Sequence, residues 1–182
     1  MADSKTTKTA FAEAVKKLVC EKPFEKISIG EICDLCDMNR KSFYYHFHDK
    51  YELIIWIFDT EYATRVENSD DLWQSISALC EYFYRNKSFY EKILLVNGQN
   101  CFEEHFSALC KRRFKERIRH RLGEEFISDK NISLYSSFFV YSVCTWLTGN
   151  DGRDNAEFVR DLKRSMIFGN EVARAFAPDK EQ

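Results

Sequence analysis

Asn39, Arg40, Lys41 and Ser42 follow one another in the chain, and their side chains are of the kinds that recognise nucleic-acid bases. An Asn amide pairs with adenine, and an Arg or Lys pairs with guanine, through hydrogen bonds at the base edges in the major groove. This chemistry requires the side chains to project from one rigid element that fits the groove. The neighbouring residues must therefore form that element.

The neighbouring sequence predicts two short helices joined by a tight turn. Ser28 followed by Glu31 is a capping-box pattern that begins a helix of two turns. Asp37 lies at the turn, where Asp tolerates the left-handed conformation, and Asn39 is suited to cap the second helix. This is the pattern of a helix-turn-helix, in which aromatic and basic residues beyond Ser42 contact phosphates. The residues that we expect to contact DNA are Ser28, Asn39, Arg40, Lys41, Ser42, Tyr44, Tyr45, His46 and Lys50.

This segment resembles the TetR family of bacterial regulators over roughly the first 55 residues. The matching positions are Ile32, Cys33, Cys36, Asp37, Met38, Asn39, the run Phe43-Tyr44-Tyr45-His46-Phe47, Lys50 and Leu53. The resemblance implies a three-helix DNA-binding head and a larger helical body that binds an effector. It also implies a homodimer, formed through the last two long helices, on a palindromic operator. The stretches KPFEKIS and FYYHFHDKYELI are most similar to the subgroup of dihydroxyacetone-kinase regulators.

Three positions depart from the family pattern. Asp37 replaces the turn glycine, Lys41 replaces a small residue, and Gly30 replaces a residue that is commonly polar or basic. The motif remains intact, but the resemblance does not extend to the operator sequence.

Composition predicts an all-α fold for the whole chain. Of 182 residues, 45% are hydrophobic, and with 6 Gly and 2 Pro there is little to interrupt helices. We expect a helix-turn-helix domain over residues 1–50 and an effector-binding and dimerisation domain over 51–182. The expected helices cover 5–21, two short segments ending near 37 and 46, then 49–66, 71–85, 88–96, 102–126 with a kink or end at Gly123, 131–148 and 155–176.

Charge supports the DNA-binding hypothesis only modestly. The formal net charge is -2, and residues 1–50 hold 9 Lys and Arg against 8 Asp and Glu. A stronger basic run lies over 111–121. It suggests either a second surface that binds nucleic acid or an anionic membrane or, as we favour, the solvated face of a core helix with acidic neighbours.

Other reactive residues favour packing over chemistry. Cys33 and Cys36 have a metal-ligand spacing without a second pair, and Cys101 with His105 has no assignable third ligand, so no metal or other cofactor is expected. No catalytic motif accompanies Ser42 and His46, which argues against an enzyme. The odd number of cysteines, 7, and the polar N-terminal segment favour a reducing cytoplasm.

The segment 131–150 is uncharged but too polar for a membrane span, so we expect it to pack against protein. Such a helix has more apolar surface than a monomer of this size can cover, which predicts dimerisation through 131–148 and 155–176. The expected interface residues are Phe138, Phe139, Tyr141, Trp146, Phe158 and Leu162.

An excess of aromatic residues, with 16 Phe, 9 Tyr and 3 Trp, suggests a cavity for a small-molecule effector within 71–148. Its expected lining is Phe83, Phe102, His105, Phe106, Tyr135 and Phe138. Ser137 and Asn100 could add polar groups to that lining. Two alternatives stay open, namely a solid body controlled by a protein partner and a helical interaction module that does not bind DNA.

Overall fold

The computed structural model describes residues 4–66, 71–96, 101–149 and 152–176, and every regular element within them is helical. The all-α prediction is therefore confirmed. Asn100 lies outside the described residues. The helices are α1 (Ser4–Glu21), α2 (Ile29–Leu35), α3 (Arg40–His46), α4 (Lys50–Val66), α5 (Leu72–Arg85), α6 (Lys87–Ile93), α7 (Phe102–Leu122), α8 (Asp129–Thr148) and α9 (Asn155–Ala175).

The predicted helix ends agree with the structure to within a few residues where local signals exist. Asp71 caps α5 by accepting a hydrogen bond from the Trp73 amide, and Asp154 begins α9 with a capping box. Gly123, with φ of 98°, ends α7 in a conformation that favours glycine, and a 3-10 turn over Glu124–Phe126 follows.

An aromatic cluster forms the core of the head, which consists of α1, α2 and α3. Phe11 of α1 meets Phe43 of α3 edge-on with ring centroids 5.2 Å apart, and Phe47 packs beside both rings. All three side chains are buried. Because α2 and α3 have only seven residues each, such short helices depend on this packing for their stability.

Lys50, the first residue of α4, ties the head together. Its ammonium donates hydrogen bonds to the backbone oxygens of Phe24 at 2.8 Å, Glu25 at 3.0 Å and Ile27 at 2.8 Å, and lies 4.6 Å from the centre of the Phe24 ring. Burial lowers the pKa of this amine. Its three N–H groups bind carbonyls of the turn between α1 and α2, so the contact of Lys50 with a DNA phosphate stays a prediction that these bonds do not support.

A second aromatic cluster fills the body around Phe58 of α4. The ring centroid of Phe58 lies 5.1 Å from that of Phe102, 5.7 Å from that of Phe83 and 6.0 Å from that of Phe106. Beside them, the hydroxyls of Tyr82 and Tyr90 are 2.6 Å apart. This cluster holds α4, α5, α6 and α7 together.

Helix α8 packs on α7, and α9 packs on α5. Trp146 of α8 stacks on Phe158 of α9 with centroids 4.4 Å apart, and its indole N–H donates to the Arg153 carbonyl at 3.0 Å. Among the described residues, neither α8 nor any other helix has the length and hydropathy of a membrane span.

The contacts of Lys50 generate a stability prediction. Lys50→Met keeps much of the apolar stem but removes three hydrogen bonds that share one half-buried ammonium, and together we expect them to contribute about as much as one strong charged hydrogen bond, about 1.5–3 kcal/mol. We expect the free energy of unfolding in urea to fall by about 2 kcal/mol, whereas Lys41→Met, at an exposed position, should change it little. Weaker DNA binding by Lys50→Met at unchanged stability would instead support the phosphate contact of Lys50.

Candidate nucleic-acid interface

A capping box at the start of α2 fixes the first helix of the motif. The Ser28 hydroxyl accepts from the Glu31 amide at 3.2 Å, while the Ser28 amide donates to the Glu31 carboxylate at 2.9 Å. Lys22 of the turn pairs with the same carboxylate and, together with Ser28, lowers the pKa of Glu31 to about 2. The predicted cap is confirmed, and its charge links α2 to the end of α1.

The turn between α2 and α3 depends on Asp37, whose φ of 54° is the left-handed conformation expected for it. Cys33 is buried in the head beside the turn, and Cys36 is half-buried with its thiol 3.2 Å from the Ile32 carbonyl. Burial raises the pKa of both thiols, which keeps them protonated and favours packing. No set of three metal-ligating side chains occurs within the described segments.

Helix α3 buries one face and exposes the residues with DNA-binding chemistry. Its first turn is capped by the Asn39 side chain, whose oxygen accepts from the Ser42 amide at 2.8 Å. Arg40 and Lys41 are exposed, and Tyr45 is 83% exposed. The structure thus presents these residues on the face opposite the aromatic core.

The remaining expected contacts are less accessible. Tyr44 is 57% exposed, but Ser42 and His46 are half-buried, and the His46 ring lies 4.9 Å from that of Tyr45. Ser28 is exposed, with its hydroxyl engaged in the cap. The contact set is therefore brought together around the start of α3, except that the Lys50 ammonium binds backbone carbonyls of the head.

The six residues expected to line an effector cavity do not share one cavity, and that lining is corrected. Phe83 and Phe102 belong to the solid cluster around Phe58, whereas Tyr135 and Phe138 are 54% and 46% exposed on α8. His105 accepts or donates a 2.9 Å hydrogen bond with Asp59 in an open groove near the head. Each helix contacts several neighbouring helices. Aromatic rings at helical spacing along one helix therefore pack against different neighbours and do not line one common cavity.

The structure contains a different apolar cavity between α4, α5, α7 and α8. Its volume is about 80 Å³, well below the roughly 300 Å³ or more of drug-sized ligand sites. Arg117 at its edge donates to the Ser75 hydroxyl at 2.7 Å, and burial raises the pKa of Tyr62 in its wall to about 12. The lining comprises Tyr62, Leu72, Ser75, Ile76, Leu79, Phe106, Leu109, Cys110, Arg113, Phe114, Arg117 and Phe139. Of the expected six, Phe106 alone is among them.

The prediction of the dimer interface is also corrected for most of its residues, because their side chains are buried inside the monomer. Phe139, Trp146, Phe158 and Leu162 are each 5% exposed or less. Tyr141 and Phe138 remain on the surface of α8 as expected. Sequence reasoning missed the exposed residues around them, although their spacing of three and four along α8 and α9 was a usable signal. The exposed large apolar residues of α8 and α9, called here the apolar face of these two helices, are Leu134, Tyr135, Phe138, Tyr141, Met166, Ile167, Phe168, Val172 and Phe176.

The basic run of α7 is paired with acidic neighbours, as expected. Lys115 lies 2.8 Å from the Asp129 carboxylate, and Arg119 donates to Glu124 at 2.5 and 3.1 Å. These pairs lower the pKa of both carboxyls. The run is consistent with a solvated helix face.

Two family descriptions match the chain, and together they cover both the head and the body. Residues 12–55 match the model for "Bacterial regulatory proteins, tetR family". Residues 70–166 match a model for a "Transcriptional regulator C-terminal region".

Individual relatives agree with these matches. The HTH-type dhaKLM operon transcriptional activator DhaS of Lactococcus lactis subsp. lactis is 30% identical over 109 residues, which are 58% of this chain and 57% of that protein. A solved dihydroxyacetone kinase operon activator DhaS superposes over 91% of this chain and 97% of its own, with a TM-score of 0.63 at 22% identity. A TetR transcriptional regulator from Streptococcus agalactiae superposes over 91% and 94%, with a TM-score of 0.68 at 18% identity. At these low identities, the superpositions show a shared fold. The matched head and body together establish that the chain belongs to the TetR family of bacterial transcriptional regulators.

Proposed function

We propose that this TetR-family regulator is a homodimer that binds a palindromic operator through α3. The observation that carries the proposal is the exposed start of α3. There the Asn39 cap fixes the first helical turn, Arg40 and Lys41 are exposed, and Phe43 and Phe47 are buried on the other side. The family and the relatives are transcriptional regulators, not enzymes. We infer the bacterial cytoplasm as the compartment, because operator DNA is found there.

We assign the contacts from exposure and chemistry. Arg40 and Lys41 are exposed at the start of α3, where a recognition helix enters the major groove. Asn39 uses its oxygen as the cap, so its amide group remains the part that can face DNA. Tyr44, Tyr45 and His46 fit phosphate contacts, which fix orientation. Ser42 and Ser28 complete the contact surface from the two helix starts.

We infer that the apolar face of α8 and α9 forms the dimer interface. Large side chains cover both helices at exposures such as 72% for Tyr141 and 70% for Phe168. A two-fold axis through this face brings α8 and α9 of both subunits into a four-helix bundle. The two α3 helices would then enter major grooves about 34–36 Å apart.

We propose control through the body, with a small molecule in the cavity between α4, α5, α7 and α8. At about 80 Å³, the cavity fits a ligand of a few non-hydrogen atoms unless the helices separate. The same small volume favours a second candidate, control by a protein partner. A helical module without DNA binding is the remaining alternative, and it would leave the exposed residues of α3 without a role.

DNA recognition by Arg40 can be tested against a selected operator. Genomic fragments enriched by the purified protein at low salt supply the site. Arg40→Ala should cost about 1–3 kcal/mol at that site and relax the preference for one base. Lys111→Ala, which removes an exposed cation of α7, should leave both properties nearly unchanged.

Two results would contradict this assignment. Equal losses for Arg40→Ala and Lys111→Ala would mean that only general charge matters. A lack of any enriched fragment at low salt would favour the interaction module.

The dimer interface can be tested with a buried-charge substitution. Phe168→Glu should raise the dimer dissociation constant on the order of tenfold or more, because a carboxylate would be buried in an apolar interface. The monomer should stay folded, since Phe168 is 70% exposed. Leu122→Glu, 56% exposed at the end of α7, is the matched control. Unchanged dimer mass for Phe168→Glu by sedimentation would place the interface elsewhere.

The role of the cavity can be tested by substituting Ile76, one of its lining residues. Ile76→Phe should fill the cavity and change the free energy of unfolding little. Val143→Phe, at a fully buried position of α8, should lower the free energy of unfolding by about 1–3 kcal/mol. If a small molecule acts here, a compound of a metabolite panel should raise the melting temperature of the wild type, and Ile76→Phe should abolish that rise. Control by a partner predicts no such rise with any compound of a metabolite panel, and DNA affinity that responds to a protein fraction.

A further inference from the structure

Arg40 and Gly30 are in direct contact across the helix-turn-helix. A Cβ atom added to Gly30 would lie 2.5 Å from Nη2 of Arg40, 3.3 Å from its Cζ and 3.4 Å from its Nε. The guanidinium group therefore occupies the space that any side chain at position 30 would take. Arg40 is the first residue of α3, and Gly30 is the second residue of α2.

The backbone of α2 does not itself require a glycine at this position. Gly30 is not among the described residues with positive φ, and glycine is one of the least favourable residues within a helix. The Ser28–Glu31 capping box stabilises the same turn. What distinguishes position 30 is the space that it leaves for Arg40.

That space lets the Arg40 side chain lie against α2. Gly30 is buried and Arg40 is exposed, so the guanidinium lies on α2 while the residue still faces solvent. An Arg reads guanine with two parallel N–H donors, and this geometry depends on where the planar group is held. A group held against α2 approaches DNA from a different side than one extended from α3.

We propose that Gly30 is a specificity-determining positioning residue, which sets the base read by Arg40 by leaving room for its guanidinium on α2. The proposal rests on the proposed DNA-binding function. Gly30 itself makes no base contact and acts only through Arg40.

The test is selection of binding sites from a random double-stranded DNA library by four full-length proteins. These are the wild type, Gly30→Ala, Arg40→Ala and the double variant. Gly30→Ala should change or lose the preference at one position of each half-site and weaken the wild-type site on the order of tenfold. In the Arg40→Ala background, the same substitution should change affinity less than about twofold, because its mediator is gone.

Folding is checked separately by thermal unfolding. Since Ala favours a helix over Gly, Gly30→Ala should melt at the same temperature as the wild type or higher, so a change in base preference cannot be attributed to loss of the fold. An unchanged preference in Gly30→Ala, or a change that persists in the Arg40→Ala background, overturns the proposal while leaving DNA binding established. Failure of the wild type to select any site overturns the proposed function and this inference with it.

Discussion

Helix α4 contributes buried residues to both the head and the body, which share one continuous hydrophobic core, and the arrangement of the molecule depends on this. Near its start, Leu53 is fully buried and Lys50 holds the turn between α1 and α2. About one and a half helical turns further on, Phe58 is fully buried at the centre of the body cluster. A rigid helix of this kind cannot shift relative to the head without disturbing the body, because the core that they share is close-packed.

Two polar links reinforce this connection between the head and the body. Lys16 of α1 pairs with Glu61 of α4, and Glu61 also accepts from the Tyr82 hydroxyl of α5 at 3.0 Å. Lys92 of α6 donates to the carbonyls of Val19 and Cys20 at the end of α1, at 2.8 and 2.9 Å. These links join α1 to the body, and the recognition helix α3 itself packs on α1 and α2.

The helix-turn-helix was predictable from the sequence because its signals are local. Ser28 and Glu31 lie three residues apart, and the cap at Asn39 likewise reaches only to Ser42. Asp37 adopts its left-handed conformation for the same short-range reasons. Interactions within one turn depend on few residues, so residue type and spacing nearly determine them. The start of α3 and its exposed residues follow from that.

The sequence by itself determined the helical class, the helix starts and ends, and the order of the recognition residues. Only the tertiary structure decided which aromatic residues face inward, because helical spacing identifies a face but not its neighbour. Trp146 packs on Phe158 inside the monomer, whereas Tyr141 on the same helix is 72% exposed. The three carbonyl oxygens that the Lys50 ammonium binds also lie far away in the sequence, about 25 residues before it. Such contacts depend on how distant helices pack, and residue type and spacing along one helix do not specify that.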